Sequence, residues 1–165
     1  MSLTPVQLQA LKTDITVTRT ATAWQGSTLG ALWTGGSDSV LAQFYAQTAS
    51  PQVLLWKPSV VTDALVNAVV MSEFLALTVA KQNGWFMMTQ PDQLDATISR
   101  VRQNFIDIFG VGATTVANLI ATSQRAATYG EALFTTAGGS PGTGFVSAVF
   151  GVGVTAQDIT AARDV

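Results

Sequence analysis

The chain has 165 residues, with neither Cys nor His, eight Lys plus Arg against ten Asp plus Glu, and only 11% charged residues. Without thiolate or imidazole, zinc-thiolate sites and nucleophile-His arrangements are excluded, and the slightly acidic balance leaves no basic footprint for gripping nucleic acid. An ordinary globular protein is roughly a quarter charged, so much of this surface is neutral and suited to burial against neighbours.

The N-terminal stretch lacks a basic region followed by an apolar run, so no signal peptide is expected and the chain is expected to start in the cytosol. Thr4, Pro5 and Gln7 supply an N-cap, a favoured first helical residue and a capping-box partner, which predicts a helix from Pro5 to about Asp14. The β-branched run Thr16, Val17, Thr18, Thr20 and Thr22 predicts an edge strand ending near Trp24. Ser37 or Asp38 then caps a second helix carrying Val40, Leu41, Phe44 and Tyr45, and Pro51 ends it. Pro51 and Pro58 bracket an extended connector.

From Val60 to Met88 the sequence is apolar but broken by Asp63, Asn67, Glu73 and Lys81, the pattern of a buried helical region and not of a membrane span. Pro91, with Asp92 and Asp95 in the first turn, predicts a helix bearing Leu94, Ile98, Val101, Phe105, Ile108 and Phe109, stopped by Gly110 and Gly112. A further helix is predicted from about Ala113 to Thr136, ended by Gly138 and Gly139.

From Ala132 to Gln157 there is no charge. Val146, Ala148, Phe150, Val152 and Val154 alternate with small residues, a strand period over 145 to 154. Thr155 with Asp158 caps a last short helix. The whole reads as one mainly α domain, residues 1–165, of five to six helices with one or two short strands. Residues 136–154 form a Gly-rich C-terminal arm. A strand in such a chain must pair with the Thr16 to Trp24 segment or with a neighbouring subunit.

The chemical motifs are weak. A phosphate loop needs a Lys where Phe145 stands, and the Gly-Val-Gly pairs at 110 and 151 lack a third glycine and a βαβ context. Asp92 and Asp95 are explained by charge at a helix start. No enzyme activity, metal or cofactor is expected. Trp24, Trp33, Trp56 and Trp85 are core or interface anchors, with Trp56 and Lys57 between two prolines the pair to follow. The candidate interface residues are Trp56, Lys57, Phe145, Val146, Phe150, Val152 and Val154.

Three blocks, residues 3–15, residues 49–65 (Ala-Ser-Pro to Trp-Lys and beyond) and the Gly-rich close from Gly130 to Arg163, resemble a family of tailed-bacteriophage structural proteins encoded near the capsid genes. The resemblance covers about half of the chain, in the same order and spacing. Only Arg125 and Glu131 keep the charges that the family carries ahead of the glycine loop. It implies a virion component assembled in the bacterial host cytoplasm: a head-tail connector or adaptor, a homo-oligomeric ring between portal and tail proteins. Such a ring contacts packaged DNA passively and reads no DNA sequence. The alternatives are a capsid decoration or tail-end completion protein, and a membrane-active protein working through 145–154, whose composition is that of fusion peptides. The favoured reading has no membrane partner.

Overall fold

A computed structural model describes residues 3–147 and 153–165. Helix α1 spans Pro5–Thr13 and starts as its sequence predicts, with Thr4 and Gln7 forming the capping box. The predicted strand after it is largely absent. Asp14–Thr18 instead continues as a π-helical turn, closed by the Arg19 N–H donating to the Asp14 carbonyl at 2.7 Å. Burial overrides β propensity here: Ile15 is fully buried, and the Asp14 carboxylate accepts from Tyr45 Oη at 2.7 Å and Arg19 Nε at 3.0 Å. Only the end of the segment is extended, as β1 (Ala23–Trp24) pairing antiparallel with β2 (Ser27–Thr28) around Gln25 and Gly26, both at positive φ. Helices α2 (Leu29–Thr34) and α3 (Asp38–Tyr45) follow.

The connector between the prolines contains β3 (Leu54–Trp56), and β4 (Val60–Val61), α4 (Thr62–Asn67), α5 (Met71–Leu75) and α6 (Val79–Met88) come next. Where Pro91 predicts a helix start, β5 (Gln93–Leu94) pairs antiparallel with β4. Asp95 then turns the chain by accepting from the Thr97 N–H at 2.8 Å, so α7 begins only at Ser99 and runs to Phe109. Gly110, at φ 93, ends it.

The helix predicted over 113 to 136 is divided into α8 (Thr114–Thr122), β6 (Gln124–Ala126), α9 (Tyr129–Leu133) and β7 (Thr135–Ala137). Of the strand predicted over 145 to 154, β8 (Phe145–Ser147) is formed and Gly153 and Val154 are not strand; Phe150 and Val152 lie outside the described residues. Helix α10 (Ala156–Arg163) carries the predicted Thr155–Asp158 capping box. Among the described residues, ten helices and eight strands in three sheets replace the expected five to six helices and one or two strands. Strands of two or three residues are too short to show a period of two, so the helical signal around them dominates.

The chain forms two compact units, each discontinuous: Met1–Val53, Ala127–Thr136 and Ser147–Val165 in the first, Leu54–Ala126 and Ala137–Val146 in the second. In the first, α1 and α3 both pack on α10, around fully buried Leu11, Ile15, Leu29, Leu41, Tyr45 and Ile159. Arg163 fixes α10 there, its Nη2 2.5 Å from Asp38 Oδ1 and its guanidinium 4.2 Å over the Trp33 ring. The Leu3 N–H donates to Asp158 Oδ1 at 3.2 Å.

The second unit is built on β3, which lies between β6 and β8. Leu55 pairs antiparallel with Arg125 of β6 and parallel with Phe145 of β8. The partner of β8 is thus a strand of its own chain, and not the Thr16 to Trp24 segment. Trp56, Leu65, Trp85, Phe105 and Leu119 form the core beneath. Helix α5 is held to the start of α8 by Glu73, whose two carboxylate oxygens accept from the Thr114 N–H at 2.9 Å and the Thr115 N–H at 2.8 Å.

Candidate functional site: the Trp56 clasp and an exposed apolar row

Of the residues singled out in the sequence, Trp56 proves central and fully buried. A Cβ on Gly138 would lie 2.5 Å from Trp56 Cδ1, one on Gly144 2.8 Å from Cε2, and one on Gly142 2.9 Å from Cη2. The glycine loop is therefore a surface on which an indole lies flush, and glycine is required at these positions because any side chain would displace the ring. Gly142, at φ 86, needs glycine for its backbone as well.

Arg102 of α7 closes the clasp. It is fully buried, and its guanidinium carbon lies 4.3 Å above the Trp56 ring. Its N–H groups donate to the carbonyls of Ala96 at 2.6 Å, Thr97 at 3.0 Å, Pro141 at 3.2 Å and Gly139 at 2.9 Å, and to that of Gly138. Burial pulls the guanidinium pKa below its ordinary value, yet arginine stays cationic at neutral pH. No carboxylate pairs with it among the described residues; carbonyl dipoles and an aromatic face take that role. Gln124 Nε2 donates to the Thr143 carbonyl at 2.5 Å, and the Gly138 N–H to the Gly144 carbonyl at 2.9 Å, so the loop is pinned along its length. The Trp56 Nε1 proton finds no acceptor among the described residues.

The other candidate residues do not gather around Trp56 as one surface. Lys57 Nζ donates to the Thr122 carbonyl at 2.8 Å. Phe145 is 40% exposed, whereas Val146 packs against the core of the second unit. Val154 is buried in the core of the first unit, where its side chain would lie 2.8 Å from a Cβ on Gly130.

The exposed apolar surface lies elsewhere. The stretch from Val60 to Met88 reads as a buried helical region, yet Met71, Leu75, Val79, Phe86 and Met87 are each more than half exposed. Helices of five to ten residues cannot turn all their apolar positions inward when those positions occupy more than one face. Trp85 points to the core, so its neighbours Phe86 and Met87 point out. Phe74 and Phe86 touch edge to face at 5.6 Å between ring centroids, joining the exposed residues of α5 and α6. The sequence signal is the run Trp85, Phe86, Met87 and Met88, four consecutive apolar residues that place apolar side chains on more than one face of α6, which an amphipathic surface helix would not show.

No helix among the described residues is long and apolar enough to cross a membrane, and among them no group of three or more acidic side chains is placed to hold a metal. Compared with family models, with curated proteins and with solved structures, the chain matches none of them.

Proposed function

We propose that this chain is a self-assembling structural component of a tailed-phage virion, a connector or adaptor that forms a ring between portal and tail. The observation that carries the assembly reading is the exposed row Met71, Leu75, Val79, Phe86 and Met87. Large exposed apolar patches are rare on monomers and mark interaction sites, and two successive helices here each present several such side chains to solvent. Self-association is favoured over an ionic partner because few charges interrupt the row: Glu73 is taken up by α8, which leaves Lys81.

The placement in the virion rests on the resemblance of three sequence blocks, and a packing relationship supports treating them as one framework. Residues 3–15 meet the closing block where α1 packs on α10, and Trp56 of the middle block meets the glycines of that same closing block. The role is mechanical, with no catalysis and no cofactor. Sedimentation of the purified chain, with mass spectrometry and reconstruction of the virions it is encoded for, tests the proposal. Higher-order assembly in solution and a ring at the head-tail junction are expected. A chain that stays monomeric and is absent from purified particles overturns it.

A further inference from the structure

We infer that the turn joining α5 to α6 docks into a groove at the opposite end of α6 on a second copy of this chain, giving a head-to-tail contact that repeats. This rests on the reading of the chain as self-assembling and supplies the contact. The projecting side consists of Leu75, 68% exposed, Val79, 72% exposed, and the exposed cation Lys81. The receiving side is a groove of about 320 Å³ between the start of α4 and the Thr89–Asp92 turn. Val61 and Val66, both about half exposed, give it an apolar lining, and Asp63 and Asp92 make it acidic.

Three observations select a second copy as the occupant. The surfaces are complementary in charge: the first turn of α6 carries one exposed cation, and the groove carries two carboxylates. Among the described residues neither Lys81, Asp63 nor Asp92 has an ion-pair partner within its own chain. The groove lies at the lower end of ligand-pocket volumes, a size that suits the side chains of a helical turn. The third observation is placement. Val79 opens α6, and the groove residues Thr89 to Asp92 follow its last residue, Met88. A helix of this length spans about 15 Å, so projection and groove lie at opposite ends of one rigid element. A two-fold pairing of projections would set Lys81 against Lys81. A head-to-tail contact sets it against Asp63 and Asp92, and such heterologous contacts generate rings when the rotation closes.

The experiment uses full-length chain and native mass spectrometry with sedimentation over a concentration series. Val79→Asp spoils the projection and Val66→Asp spoils the groove. Both residues are exposed, and circular dichroism confirms that each variant folds. Each variant alone is expected to lose self-association by at least about tenfold in affinity. Mixed together they are expected to form a one-to-one heterodimer that grows no further, because only one intact projection and one intact groove meet. Separately, Lys81→Glu is expected to weaken assembly, and adding Asp63→Lys and Asp92→Lys to the same chain to restore it. Wild-type oligomers that ignore all these changes overturn this contact and leave the assembly reading standing. Variants that fail alone and also fail to pair when mixed overturn the head-to-tail arrangement. A wild-type chain that is monomeric at every concentration overturns both the contact and the reading beneath it.

Discussion

Arg102 stacks its guanidinium on the Trp56 ring at 4.3 Å while donating to five carbonyls, three of them in the glycine loop. The loop that composition made conspicuous is thereby held in place by a residue of α7 that no local pattern marks. Replacing Arg102 with Leu leaves several buried acceptors unsatisfied, at about 1 to 3 kcal/mol each and not additively. A loss of at least about 3 kcal/mol in urea unfolding is expected. Arg102→Lys should recover only part of it, because an ammonium cannot reproduce the planar fork. Full stability in the Lys variant would show that charge alone is sufficient.

Two glycine substitutions should move stability in opposite directions. Gly138→Ala forces a Cβ to within 2.6 Å of Trp56 Nε1 and 2.9 Å of the Gly144 carbonyl, and is expected to destabilise by about 1 to 3 kcal/mol through overpacking. Gly84 lies inside α6 with nothing within 4 Å of its would-be Cβ. Gly84→Ala is expected to stabilise by about 0.5 to 1 kcal/mol through helix propensity. Thermal melts of the two variants measure both signs.

The Tyr45 phenol is pushed well above its ordinary pKa, by burial first and then by its hydrogen bond to the Asp14 carboxylate. Above about pH 10 the unfolded chain loses this proton while the folded chain keeps it. The contribution is therefore whole below about pH 10 and declines above it by up to about 1.4 kcal/mol per pH unit. Denaturant midpoints across this range should slope less steeply in Tyr45→Phe than in wild type. Identical slopes would contradict the assignment.

At the acid end, Asp158 is the group to follow. Burial raises its pKa, but hydrogen bonds from the side chain and backbone of Thr155 and from the Leu3 N–H outweigh this and leave the carboxyl below its usual value. A depressed folded pKa gives stability that is present above about pH 4, the unfolded value, and is lost as pH falls through the folded one. Asp158→Ala should cost about 1 to 2 kcal/mol at neutral pH and flatten the acid limb of the stability curve, read by far-ultraviolet circular dichroism. An unchanged acid limb would assign the loss to other carboxylates.

The elements legible in the sequence are those whose ends are marked by local chemistry. The α1 and α10 capping boxes could be read directly, and so could the end of α7 at Gly110. Thr128 and Glu131 are a capping box of the same kind, masked in the sequence because the apolar spacing from Val116 onward continues across them. The strands were illegible for a different reason: β3, β6 and β8 are three residues each and owe their conformation to one another across long separations in sequence. Trp56 could be singled out, but its partners could not. Nothing in the glycines themselves says that an indole lies on them, and Arg102 looks like one of several scattered cations.

The interleaving of the two units sets an order on folding during synthesis. Helix α10 leaves the ribosome after the other helices of the described residues, yet α1 and α3 both pack against it. The nascent first unit must therefore wait, with Leu8, Leu11 and Leu41 uncovered, while the whole second unit is translated. The second unit can seat Trp56 as soon as the glycine loop and β8 emerge, which makes it the natural first folder while the early helices still lack their cover.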